Sequence, residues 1–257
     1  MLERPFVFEI AFIQEQGNGR LTHESRLVRD HCVRIGMPVE LYTSKRINRR
    51  QLPLDRQSFI FGDIDSMRGA MKQLNIPVPE AAYYPSSLTD YLHRKVWLDT
   101  LGNVRKRIED GGAAVFAKPA SRVKIFTGQV FSHHGDFYFV GQTSRNEPVW
   151  CSEVVSWRSE YRVYVIGTEI VSVDHYDGDT NAGLDLNTVS QAIAEYARSG
   201  DAPTAYGIDF GILTSGETAL VEANDGYALG AYQIGSAAYS ELVFARWQEL
   251  LASSTAE

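Results

Sequence analysis

The sequence predicts an α/β fold: an N-terminal α/β lobe followed by a strand-rich region built on antiparallel pairing. Three observations carry this. Short apolar runs alternate with helically spaced segments in the first third. From Ala114 onward, segments rich in β-branched and aromatic residues follow one another closely. Near the C-terminus, "AYGIDFGIL" and "TALVEAND" flank the turn Thr214-Ser215-Gly216-Glu217, which reads as a hairpin.

In order along the chain, "PFVFEIAFI" reads as a buried strand, and "HESRLVRDHCVRIG" as a helix stopped by Gly36. "MPVELYT" is a second strand. Ser58 to Phe61 is a third, followed by a helix from about Asp65 to Leu74 and a proline-rich extended stretch. "SLTDYLHRKVWLDTLGNV" predicts a helix opening near Ser87, with Leu92, Val96 and Leu98 close together on its surface. "AVFAKP", "KIFTGQVF", "DFYFVGQ", "PVWCSEVV", "YRVYVIG" and "EIVSVDHY" read as strands. "DLNTVSQAIAEYARSG" reads as a capped helix ended by Gly200, and "SAAYSELVFARWQELLAS" as a closing helix.

A chain of 257 residues with 44% hydrophobic and 22% charged residues buries a sizeable core and is not of disordered composition. No apolar run approaches the roughly 20 residues of a membrane span, and "MLERPFVFEI" lacks the layout of a secretion signal, so a cytoplasmic protein without a membrane partner is expected. Cys32 and Cys151 lack metal-type spacing and read as packing residues. A net charge of −7 argues against a nucleic-acid partner. The basic run Ser44 to Arg50 and the pair His133-His134 read as solvated segments.

Asp209-Phe210-Gly211 is the tripeptide that holds magnesium in protein kinases, but the glycine-rich loop and His-Arg-Asp loop of a kinase are missing upstream, as is any Walker-type phosphate loop. Asp209, Glu222 and Asn224 fall on two adjacent predicted strands, and positions 222 and 224 share a face. Oxygen ligands of this kind suit a hard cation such as magnesium that shares its shell with phosphates; the alternative is a solvated turn face. Lys118 ends an otherwise apolar strand and Lys124 lies beyond the next loop, so the two ammonium groups can meet phosphate oxygens or remain surface lysines. Glu153 and Glu160 bracket a connector whose Val154 and Val155 backbone can pair with an adenine edge. Glu160 suits ribose hydroxyls, and Arg162, on the same face, suits phosphate oxygens; structural ion pairing is the alternative.

Taken in order, Lys118-Pro119, Glu153, Glu160-Tyr161-Arg162, Asp209 and Glu222-Ala223-Asn224 resemble the ATP-grasp superfamily over about Tyr91 to Gly230. "YPSSLTDYLHRKVW", "FAKP", "EYRVYVIG" and "VEANDGYALGAY" resemble in particular its compact phage and bacterial clade named for one arginine and two lysines. The resemblance implies an ATP-grasp fold with a pre-grasp α/β lobe at 1–86 and an ATP-grasp domain at 87–257, divided into a small ATP lobe at about 112–157 and a metal-binding lobe at about 158–257. It implies a ligase joining a carboxylate to an amine (an amino acid, a peptide or a protein terminus) through an acyl phosphate, with ATP and Mg2+, or Mn2+ in its place. Lys95, Lys118, Lys124, Glu153, Val154, Val155 and Glu160 would bind nucleotide, Arg162 and Lys124 would act on the transferring phosphoryl group, and Asp209, Glu222 and Asn224 would hold metal. Arg94 is an alternative to Lys95 as a further basic position, and Lys124 stands where other members have a glycine-rich flap. Gly226, Gly230 and Tyr232 either shape the acceptor pocket or simply end a strand. A phosphotransferase and a non-catalytic ATP sensor share the same ATP residues.

Overall fold

The structure, a computed structural model, describes residues 8–120 and 125–253. The N-terminal lobe contains β1 (Ile10–Gln14), α1 (His23–Arg34), β2 (Val39–Tyr42), the short α2 (Ser44–Asn48), β3 (Ser58–Phe61) and α3 (Ile64–Gln73). The three strands are parallel in the order β2-β1-β3, so helical crossovers must connect them. Both long helices start on a side-chain cap: the Thr22 hydroxyl accepts from Ser25 N at 3.1 Å, and Asp63 accepts from Ser66 N at 2.8 Å. Gly36, at φ 77°, turns the chain out of α1. The predicted strand at "PFVFEIAFI" is realised as β1; its first residues, to Val7, lie outside the described residues.

The helix predicted from Ser87 does not form as one element. A 3-10 turn spans Ser86–Tyr91, His93 adopts φ 49°, and the chain then enters β4 (Val96–Thr100) before α4 (Leu101–Glu109). β4 is drawn into register with β7 (Pro148–Glu153), and this ladder outcompetes local helical spacing. β5 (Val115–Pro119) and β6 (Gln129–Phe131) complete an antiparallel sheet in the order β4-β7-β5-β6. The "DFYFVGQ" strand is also overturned. Asp136 accepts from the Ser132 and His133 amides at 2.7 and 3.0 Å, which starts a 3-10 helix at His134–Val140 and leaves Tyr138 exposed. Of "KIFTGQVF", only Gln129–Phe131 is strand.

The third sheet is antiparallel, in the order β11-β10-β8-β9, from β8 (Trp157–Ile166), β9 (Glu169–Gly178), β10 (Ala205–Leu213) and β11 (Thr218–Asp225), with α5 (Leu186–Ser199) between β9 and β10. One face packs Val163, Val165, Ile208, Phe210 and Leu220 against Val189, Ala192 and Ile193 of α5. α6 (Ser236–Ser253) closes the described chain. Its Leu242, Trp247 and Leu250 share one core with Phe12 and Phe59 of the N-terminal sheet, and Trp247 Nε1 donates to Ser58 O at 2.9 Å. The segment grouped by sequence with the metal-binding lobe is therefore packed on the N-terminal lobe. Both cysteines are free and buried, and burial pushes each thiol up to about 12, so they are inert packing residues at neutral pH.

Candidate functional site

Cross-strand partners in an antiparallel sheet project to one face, so the register Glu222↔Asp209, Asp209↔Arg162 and Arg162↔Asp174 sets four charged residues in a row across the third sheet. The row faces away from α5. A bulge in β11 at Val221 brings Glu222 level with Asp209: Asp209 pairs with Glu222, but the next residue, Phe210, pairs with Leu220. Arg94 occupies the bulge. Its guanidinium donates to Leu220 O at 2.7 Å and to Val221 O at 2.9 Å, and lies 5.2 Å from the centre of the Trp157 ring. Two residues either side of Asp209, Gly207 and Gly211 leave room on the same face; a Cβ there would meet Leu229 and Trp157.

Charge is concentrated in the middle of this row. Arg162 grips Asp209 bidentately, Nε to Oδ1 at 2.8 Å and Nη2 to Oδ2 at 2.7 Å. Lys118, at the end of β5, reaches across from the second sheet to pair with Glu222. Asn224 Nδ2 donates to Glu222 Oε1 at 3.1 Å and to Asp209 Oδ2 at 3.3 Å, tying the two pairs together. Lys118 is 8% exposed and Asp209 3%. Burial lowers the Lys118 ammonium from its ordinary value despite Glu222, and it raises the Asp209 carboxyl despite Arg162. Burial also works to raise Glu222, but the charge and hydrogen bond of Lys118 outweigh it and hold that carboxyl low. The aromatic faces of Tyr83 and Tyr84 enclose Lys118, their centres 3.7 and 4.6 Å from Nζ.

At the other end of the face, Glu160 accepts from the Tyr176 hydroxyl at 2.8 Å; burial raises its carboxyl, with Asp177 and Asp209 adding to the effect against that hydrogen bond. Tyr176 stacks on Tyr232 at 5.0 Å, and Tyr232 covers the Arg162 guanidinium at 5.1 Å. The connector between β7 and β8 contains Val154 and Val155, outside both ladders. Glu153 stands at its start, where its side chain and amide clasp Lys95: Lys95 N donates to the carboxylate and Glu153 N to Lys95 O, both at 3.0 Å. The Lys95 side chain itself is exposed.

The segment after β11 is pinned over Arg162. The Tyr164 hydroxyl donates to Gly230 O at 3.1 Å and accepts from Tyr232 N at 3.0 Å, while Asp174 accepts from Gln233 N and Ile234 N, each at 2.6 Å.

Of the residues singled out by sequence, Lys118, Arg162, Asp209, Glu222 and Asn224 converge, and Glu160 lies on the same face. Glu153, Val154 and Val155 line the connector. Lys124 lies outside the described residues. His133 and His134 are exposed and pair locally with Asp136 at 3.2 Å and Glu109 at 3.4 Å. Tyr83, Tyr84 and Tyr176 were not foreseen. The doublet at 83-84 offered a signal only in hindsight, because nothing local says that both rings fold onto Lys118.

The donor set fits a magnesium ion that completes its shell elsewhere. Among the described residues there is no group of three or more His, Cys, Asp or Glu able to cage a metal, whereas two carboxylates and an amide stand together on the sheet face. Lys118 and Arg162 are the cations that neutralise those carboxylates. Ligation by Asn224 requires its amide to turn, because its nitrogen now faces both acids.

No curated protein sequence matches the chain. By structure it is similar to D-cycloserine synthetase DcsG (TM-score 0.59, 10% identity, 94% of this chain and 99% of that one). It is similar as well to N5-carboxyaminoimidazole synthase from Aspergillus clavatus, solved with ADP and 5-aminoimidazole ribonucleotide (0.58, 9%, 95% and 78%). A third neighbour is the ATP-grasp RimK domain protein from Sphaerobacter thermophilus (0.54, 14%, 95% and 99%). The family model that matches is that of an ATP-grasp domain, the second family of the clade named for one arginine and two lysines; it spans residues 91–242, more than half of the chain and the whole of the charged row. The chain belongs to that arginine-and-two-lysine clade of the ATP-grasp superfamily.

Proposed function

We propose that this protein is an ATP-dependent ligase that joins a carboxylate to an amine. One observation carries the reading: a buried row in which two adjacent carboxylates, Glu222 and Asp209, are flanked by Lys118 and Arg162 bridges the two antiparallel sheets within the span matched by the ATP-grasp family. A row of this kind is costly to bury without a ligand and suits phosphates and metal with little rearrangement.

ATP would lie with its adenine against Glu153, Val154 and Val155, its ribose on Glu160 and its phosphates toward Lys118, with Lys95 and Lys124 as further cations. Asp209, Glu222 and Asn224 would hold Mg2+, which supplies charge neutralisation between the phosphate oxygens. A carboxylate oxygen of the substrate attacks the γ-phosphorus, the bond to the β-phosphate oxygen breaks, and ADP leaves. Arg162 stabilises the negative charge carried by the transferring group. The amine nitrogen then attacks the acyl carbon, phosphate departs with the former carboxylate oxygen, and the nitrogen loses a proton. No protein nucleophile is needed; the chain's work is positioning and charge. The synthetase and synthase names of two structural neighbours support ligation, and the exposed Gly230, in the segment pinned over Arg162, suits the acceptor.

The test is Mg2+-dependent ADP release by the purified protein on a panel of carboxylates, with and without a panel of amino acids and dipeptides, followed by mass spectrometry. Release that needs both classes and yields an amide is the expected result. A phosphorylated acceptor as sole product would instead make it a phosphotransferase; ATP binding without turnover would make it a sensor.

A further inference from the structure

A second guanidinium opens on the same site and has no carboxylate partner. Arg68, on α3, lines a cavity of about 180 Å3 together with Arg162, Tyr83, Asn224, Tyr227 and Gly230. Its Nε is buried without a hydrogen-bond partner, and among the described residues it makes no ion pair. Its presence is felt by two hydroxyls: burial raises Tyr227 and Tyr83, and Arg68 pulls both back down. The acids around the cavity do not answer it. Asp225 is occupied on both oxygens by Arg246, at 2.8 and 2.6 Å, and accepts from Tyr227 N at 3.1 Å, while Glu80 is exposed at the rim.

Across the strap Ala228 to Gly230 lies a second cavity, also of about 180 Å3, with the opposite character: it is lined by Glu24, Asp63, Gln14 and Gln16. The two cavities share Ala228, Leu229 and Gly230, so a chamber holding the unanswered Arg68 guanidinium and an acid-lined chamber meet beside Arg162. A volume of this size admits a single amino acid or a chain end.

We infer that Arg68 anchors a second anionic group of the carboxylate substrate, so that the molecule activated at Arg162 is a small dianionic acid, or a peptide end carrying two carboxylates. A fork of N–H donors that meets hydroxyls but no internal carboxylate is matched by a carboxylate, and a neutral amide in that place would leave the positive charge unanswered. This rests on the ligase reading for the identity of the activated group, but the binding of the acid to Arg68 does not.

Length-matched pairs separate the two ideas: glutarate against pentanoate, succinate against butyrate, and dipeptides ending in Glu or Asp against those ending in Gln or Asn. Calorimetric binding in the presence of Mg2+ and a non-hydrolysable ATP analogue is compared for wild type, Arg68→Ala and Arg68→Lys, with ADP release measured in parallel. At least one dianionic member is expected to bind wild type about 10- to 100-fold more tightly than its monoanionic partner. Arg68→Ala should erase that ratio while leaving the affinity for the nucleotide analogue and the melting temperature in place, and Arg68→Lys should restore part of it. Binding that follows this pattern without ADP release would sustain the anchor and sink the ligase reading. A ratio near one in wild type across the panel, or an unchanged ratio in Arg68→Ala, would overturn the anchor whatever the turnover.

Discussion

The β10–β11 hairpin carries two bidentate arginine–aspartate pairs of nearly identical geometry, and they do different work. Arg246 meets Asp225 at 2.8 and 2.6 Å and also holds Glu249 at 2.6 Å, which in turn accepts from Thr204 N at 2.8 Å. Every charge in that group is answered, and the group ties α6 to the end of β11. Arg162 meets Asp209 at 2.8 and 2.7 Å, but this pair is one link in a row that includes Glu222, Asn224 and Lys118, with Glu160 near by. There, burial strains the ionised forms of Lys118, Asp209 and Glu160 away from their ordinary values. One pair is a closed clasp. The other, on the proposed function, exchanges partners when phosphate and metal arrive, its buried charges serving as electrostatic preorganisation.

The comparison is broken most directly by exchanging the aspartates' fates. Asp209→Asn should lower ADP release about a thousandfold or more while the melting temperature stays within a few degrees of wild type. Wild-type turnover in that variant would remove Asp209 from the metal set. Arg246→Ala should do the reverse: chemical denaturation should show a loss of about 3–5 kcal/mol, with specific activity of the folded fraction preserved. Lys118→Met is intermediate. It leaves Glu222 buried without its counter-charge, so ATP affinity should fall about 10- to 100-fold, together with a milder loss of stability.

Glu160 sharpens the contrast through pH. Its carboxyl is raised in the fold, so the burial of its charge is a penalty at neutral pH that fades as pH falls through the raised value. The KM for ATP in wild type should climb over that same fall in pH as the charge proposed to hold the ribose is lost, and in Glu160→Gln it should be high and flat. The same variant should melt a few degrees higher than wild type at neutral pH, the smallest of these effects. A KM profile unchanged by the substitution would detach Glu160 from the nucleotide.

The parts legible in sequence are those where local pattern and tertiary need agree. The hairpin of Asp209 and Glu222 showed its alternation, its turn and its spaced acids, and Lys118-Pro119 marked a charge at the end of an apolar strand. Segment 87–104 misled because Val96 to Thr100 owes its strand state to β7, which lies far along the chain and is invisible to spacing. Residues 134–140 misled because one carboxylate, Asp136, collects two amides and overrides the β-propensity of the aromatic run. The role of Arg94 was hidden for a related reason: it serves a bulge at Val221, which exists only once β10 and β11 are in register. Lys118's tyrosine enclosure likewise depends on how residues 83 and 84 cross the sheet edge.

The step on which the proposed function stands is transfer of phosphorus to a carboxylate oxygen at this row of charges. It is tested most directly with 18O-labelled carboxylate substrate, ATP, Mg2+ and amine, reading the phosphate released. The account predicts one 18O atom in each phosphate formed per amide made, and loss of both products together in Asp209→Asn. Unlabelled phosphate, or a stable phosphorylated product that no amine consumes, would contradict it.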